Sequence, residues 1–222
     1  MRGDGVLAGG DVYIVASGGT LTHMDPGFFE GRRVIAVNRA AERNDLYALT
    51  DVVTVTHYIF EDLIPLAEAH PEHHFYAPVH DQGYKDGKQG PDLPNATYFE
   101  HRGTDWLFEP EPWGWPENGL IMGSTTLHAA MHLACRMGAE NLMLVGADCG
   151  VLDGATNQQG YVSGNLKHES GVDSFLERWE HHLRAVKAVL TACYGVRIYS
   201  VSPFLNPNLE GHSWRSLTAV RA

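Results

Sequence analysis

The chain has 222 residues, 44% of them apolar, which is enough to bury the core of one domain and excludes a wholly disordered chain. Lys plus Arg number 16 against 27 Asp plus Glu, a formal net charge of −11. That balance argues against a duplex-DNA groove or an anionic membrane surface, yet leaves room for a single nucleotide held by backbone amides.

The first predicted element is a strand over residues 12–16, closed by the turn Ser17-Gly18-Gly19-Thr20. A second strand over 34–37 ends at Asn38, and a helix is expected from Arg39 to about Leu49. A third strand over 52–56 ends at His57. From 78 to 120 the periodicity dissolves into Pro, Gly and Trp, including Trp106 and Trp113-Gly114-Trp115-Pro116, which reads as a lid or small lobe. A helix over 125–137 carries Leu127, Ala130, Met131, Ala134 and Cys135 on one side and stops at Gly138. A strand over 141–146 ends at Asp148, a long helix runs from Phe175 to about Cys193, and a last strand covers 196–201. Near-continuous apolar strands alternating with amphipathic stretches predict a single α/β domain over 1–222. It is Rossmann-like, a mostly parallel sheet with helices on both faces and residues 78–120 as an irregular Trp/Pro-rich insertion.

Three cysteines, Cys135, Cys149 and Cys193, lie far apart without a CxxC pair, so a reducing cytoplasm is the expected compartment. No apolar run reaches bilayer-spanning length and no signal-peptide core precedes the first strand, so no membrane partner is expected.

The residues that could carry chemistry gather at strand ends and one helix start. The turn Ser17-Gly18-Gly19-Thr20 lets backbone N–H groups approach an anion; it is neither GxGxxG nor a P-loop. Gly123-Ser124-Thr125-Thr126 offers three hydroxyls and free amides at the start of a helix, a place for phosphate or simply a cap. Ser17, Asn38, His57 and Asp148 all stand at predicted C-terminal strand ends, outside which open parallel sheets bind ligands. His128 and His132 are four apart on one helix, a metal pair or a packed pair, whereas the adjacent pairs His73-His74 and His181-His182 point their side chains apart. His168, in a polar stretch before the last long helix, suits a general base or an exposed loop position.

In this order the strings Ser17-Gly18-Gly19-Thr20-Leu21, Arg33 through Ala40, Ser124 through Ala139, and Leu144-Val145-Gly146-Ala147-Asp148 resemble the MptE-like 6-hydroxymethylpterin diphosphokinases (domain of unknown function 115), phage members included. They are also similar to the family 42 bacterial sialyltransferases. The resemblance spans roughly residues 11–58 and 119–205. It implies that Ser17, Gly18, Gly19 and Thr20 lie near a donor nucleotide, that Asn38 holds the donor, and that Ser124, Thr125 and Thr126 with Gly146 and Asp148 complete the nucleotide site. The first turn departs from the usual Gly-Pro-Ser-Leu: the proline is Gly19, and Thr20 keeps a hydroxyl. His57 replaces the asparagine of the sialyltransferases and the acid of many MptE-like members. The sialyltransferase catalytic histidine precedes the last long helix, where His168 is the nearest candidate.

The expectation is a nucleotide-dependent transferase, a glycosyltransferase before a kinase. It would move a sugar from a nucleotide-sugar to a small-molecule or glycan hydroxyl, with His168 or His57 as base and no required cofactor. The alternative is an ATP- and Mg²⁺-dependent diphosphokinase in which Asp148 helps hold the metal. A third reading, from another class, is a non-catalytic phage protein that sequesters a nucleotide. A homo-oligomer stays open under all three.

Overall fold

The computed structural model describes residues 10–43, 51–53, 57–78, 93–102, 119–121, 125–148 and 172–201. Its eight strands are β1 (Asp11–Val15), β2 (Arg33–Val37), β3 (Asp51–Val53), β4 (His74–Pro78), β5 (Ala96–Arg102), β6 (Gly119–Ile121), β7 (Asn141–Val145) and β8 (Arg197–Ser200). They form one sheet in the order β6-β5-β4-β3-β2-β1-β7-β8, and every neighbouring pair is parallel. The chain therefore adds strands in one direction from β1 to β6, then returns to the other side of β1 to place β7 and β8. Strand order reverses between β1 and β7, and that reversal point is where open parallel sheets leave a ligand crevice beyond the strand C-termini.

Both faces of the sheet are covered, which is why its strands read as apolar runs rather than as an alternation. Successive side chains of a strand point to opposite faces, and the core splits accordingly. Val12 and Ile14, Ile35 and Val37, Leu142 and Leu144, and Ile198 pack with α2 (Thr126–Arg136) and with the buried face of α3 (Val172–Tyr194), formed by Leu183, Val186 and Leu190. Tyr13 and Val15, Val34 and Ala36, Met143 and Val145 pack on the other face with Leu63 and Ala67 of α1 (His57–Ala69). Each fully covered Leu or Ile contributes about 1.5–3 kcal/mol of transfer free energy. The helix α2 stops where expected, with Gly138 at φ +84°, a backbone region that glycine enters without penalty.

Several elements differ from the sequence expectation, and strands β4 and β6 are absent from it. The helix expected from Arg39 is a short 3₁₀ turn, Asn38–Glu42, which buries Ala40 and Ala41; residues 44–50 lie outside the described residues. The third strand is Asp51–Val53, and His57 opens α1 instead of closing a strand. That helix escapes a sequence reading because Pro65 sits inside it, where proline removes one backbone donor and ordinarily signals a break. The interval 78–120 contributes β5, which pairs with β4 and β6 and so belongs to the sheet. The remainder of that interval, with Trp106, Trp113 and Trp115, lies outside the described residues. None of the helices among the described residues is long and apolar enough to cross a membrane.

Candidate functional site

Three strand ends and one helix start meet at the reversal point. After β1, Gly18 donates its amide to the Gly146 carbonyl at 2.8 Å, which ties the first turn to the end of β7. Thr20, fully buried, donates twice to Asp148: its amide to one carboxylate oxygen at 2.6 Å and its hydroxyl to the other at 2.5 Å. Hydrogen bonds to a carboxylate are about twice as strong as neutral ones, and Asp148 is buried, so this contact fixes the turn firmly.

Close backbone approach explains the glycines. A Cβ on Gly18 would lie 2.3 Å from the Gly146 carbonyl oxygen and 2.6 Å from an Asp148 carboxylate oxygen. Gly146 has φ +65°, and a Cβ there would lie 2.3 Å from the Ala16 carbonyl oxygen. Neither position admits a side chain without moving backbone, so the two turns pass each other only as glycines.

Asn38, at the end of β2, is the non-glycine residue with positive φ among those described, at φ 53°. Asparagine tolerates this left-handed geometry better than most residues. The conformation aims its side chain at the start of α2, where its Nδ2 donates to the Thr126 hydroxyl at 3.1 Å. Its Oδ1 is buried and has no hydrogen-bond partner among the described residues.

The N-terminus of α2 is open in the same sense. Thr125 occupies the N-cap position with extended backbone, yet its side chain makes no capping hydrogen bond. Its Oγ1 is likewise buried without a partner among the described residues. An unpaired buried polar atom costs about 1–3 kcal/mol. Two of them stand at the start of α2 beside a left-handed asparagine, an arrangement able to accept hydrogen bonds from a polar ligand. The first-turn amides of α2 and the positive end of its dipole favour an anionic group there.

The sequence-predicted residues thus divide. Gly18, Thr20, Gly146 and Asp148 come together, but they spend their groups on one another and form the frame. Asn38, Thr125 and Thr126 come together and keep acceptors to spare. Ser17 and Gly19 lie in the same first turn as Gly18 and Thr20. The backbone of His57 follows β3 as the first residue of α1. Ser124 and His168 lie outside the described residues, as do Cys149 and the polar stretch before α3.

His128 and His132 are packed residues of α2. An amide can only donate, so Ile121, whose N–H reaches His132 Nδ1 at 2.9 Å, makes that nitrogen the acceptor. The ring proton then sits on Nε2, 2.9 Å from the Tyr194 hydroxyl. His132 so pins the edge strand β6 and the end of α3 to α2, with both nitrogens in use. Burial pushes both imidazoles down to about 3, with the neighbouring His182 adding to the effect at His128 and Arg136 at His132.

The described residues thus form an open parallel α/β sheet with buried, unpaired polar atoms near its reversal point. Comparison with solved structures places this chain beside two bacterial enzymes. It matches the sialyltransferase CstII from Campylobacter jejuni, solved in complex with the substrate analogue cytidine-5'-monophosphate, with a TM-score of 0.50 at 15% identity over 90% of this chain and 86% of that one. It matches the monofunctional α-2,3-sialyltransferase Cst-I from the same organism with a TM-score of 0.53 at 14% identity, over 95% of this chain and 86% of that one. At such identities the likeness is one of fold, and the sialyltransferase-like fold expected from the motifs is present. No protein-family model matches the chain, and neither does any curated protein.

Proposed function

We propose that this protein is a nucleotide-dependent transferase, and specifically a glycosyltransferase that moves a sugar from a nucleotide-sugar donor to a hydroxyl acceptor. The observation that carries this reading is the cluster of Asn38, Thr125 and Thr126, with two buried acceptors unpaired among the described residues beside an uncapped helix start. Its chemistry suits a nucleotide. Asn38 Oδ1 takes a hydrogen from a ribose hydroxyl or a base amino group, and the Thr125 hydroxyl and α2 amides take a phosphate oxygen. An acidic protein with a net charge of −11 holds the anion through dipoles rather than through lysines. The cytidine nucleotide bound by CstII, on a sheet of the same fold, supports a nucleotide as the donor.

In this reading the same dipoles that bind the phosphate stabilise it as it leaves, and His168 or His57 takes the proton of the acceptor hydroxyl. Asp148 is a positioning residue: it holds the Thr20 turn in place instead of touching the donor. The competing diphosphokinase would use Asp148 for Mg²⁺, and each oxygen that accepts from Thr20 keeps a lone pair for that role. The test is calorimetric titration with CMP, UDP, GDP and ATP, followed by incubation with the sugar nucleotide of whichever base binds. Release of the nucleoside phosphate without added metal supports sugar transfer. Binding without turnover points to the sequestering protein instead, and Mg²⁺-dependent AMP release from ATP points to the diphosphokinase.

A further inference from the structure

A second cluster lies beyond the N-terminal end of β4, where α1 ends and β4 begins. His70, Glu72 and His73 each offer one ligand atom, and these atoms all lie within 4.8 Å of one another. His70 Nδ1 is 3.0 Å and His73 Nε2 is 3.5 Å from the same oxygen, Glu72 Oε1. The two imidazoles stack with centroids 4.8 Å apart and planes 9° from parallel. A neutral imidazole is the form that ligates metal. His73 is the buried ring of the pair and His70 the half-buried one.

The turn carrying these residues is held from behind. Asn95 Nδ2 approaches three backbone carbonyls, those of Ala67 at 3.0 Å, His70 at 3.4 Å and His73 at 3.1 Å. The His73 amide donates to the His70 carbonyl at 3.0 Å, closing the turn over Pro71. The next residue, His74, faces away toward the Thr97 hydroxyl at 2.7 Å, so the ligand partner of His73 is His70, three residues back, and not its sequence neighbour.

We propose that His70, Glu72 and His73 form a binding site for one divalent d-block cation of borderline softness, with Zn²⁺ as its representative. Two imidazoles and one carboxylate are a known three-ligand donor set for that class, and they leave a coordination position for water or an external ligand. Ligands on one tetrahedral Zn²⁺ at about 2.1 Å stand about 3.4 Å apart. The cluster therefore has to contract by about 1.4 Å at its widest, through the side chains of Glu72, which is exposed, and His70, which is half-buried. The ion would join the end of α1 to the start of β4, away from the strand C-termini that carry the nucleotide cluster, so it is independent of the donor site.

The test is Zn²⁺ titration of the EDTA-stripped, dialysed full chain against a chromophoric chelator. It compares the wild type with His70→Ala, Glu72→Ala and, as a control for surface histidines, His181→Ala, each checked for an unchanged melt in EDTA. The expected result is one Zn²⁺ per wild-type chain, at least tenfold weaker in both cluster variants and unchanged in His181→Ala. Zinc-edge absorption should then show two imidazole nitrogens in the shell. A wild-type chain that takes up no Zn²⁺, or cluster variants that keep the wild-type affinity, would overturn the proposal.

Discussion

Thr20 gives both its amide and its hydroxyl to the two oxygens of Asp148, 128 positions later in the chain. This one contact joins the first strand end to the seventh at the point where strand order reverses. It makes the glycine turn a fixed wall, so that Asn38 and the start of α2 carry the unused polar groups.

Replacing Asp148 by Asn tests the frame. The amide can accept from only one of the two Thr20 donors, and its NH₂ meets the other. Chemical denaturation should show a loss of about 1–3 kcal/mol, the cost of one buried unsatisfied donor. A Thr20→Val substitution removes the hydroxyl and leaves one oxygen of the buried carboxylate without that donor, so its loss should be at least as large.

Gly18→Ala and Gly146→Ala should each destabilise by more than the ~1 kcal/mol typical of single substitutions. Each new Cβ meets a carbonyl oxygen at 2.3 Å, and Gly146 would also be strained at φ +65°. Thermal melts of the two variants check this, and Gly31→Ala is the comparison: it has positive φ but nothing within 4 Å of its Cβ, so it isolates the conformational share of the loss.

Thr125→Val separates folding from binding. A threonine N-cap normally contributes about 0.5–2 kcal/mol, but the Thr125 hydroxyl caps nothing here. Stability should therefore change by less than about 0.5 kcal/mol, while nucleotide affinity falls about tenfold, the worth of one hydrogen bond to a charged group. Equal losses in both measurements would return Thr125 to an ordinary structural role.

Stability should fall on acidification below the ordinary histidine range. Burial holds His128 and His132 at about 3 in the folded chain, against the ordinary histidine value of 6.5, so the unfolded chain binds protons first. Their neutral forms contribute full stability above about pH 6.5, and the contribution is lost as pH falls toward 3, at about 1.4 kcal/mol per pH unit for each ring. Urea midpoints at pH 7 and pH 5 measure the slope, and His132→Gln, which keeps a hydrogen-bonding side chain without a titrating ring, should flatten it.

Five of the eight strands, β1, β2, β3, β7 and β8, are legible in the sequence because a strand buried on both faces leaves an uninterrupted apolar run, as at residues 12–16 and 141–146. Pro65 hid α1 by its ordinary meaning, and β5 was hidden because it carries Glu100, His101 and Arg102 in an interval full of Pro and Gly. At the site, Asn38, Thr125 and Thr126 could be picked out by residue type and position. The contact of Asp148 with Thr20 could not, since it joins residues 128 positions apart. The pairing of His70 with His73 is not legible in the sequence, because it depends on a turn that brings together residues three apart.

Calorimetric titration of CMP, UDP, GDP and ATP into the wild type and into Asn38→Ala tests the central claim most directly. The account predicts that at least one nucleotide binds the wild type at one site per chain and at least tenfold more weakly after the substitution. Failure of all four to bind, or equal affinity in the two proteins, would contradict it.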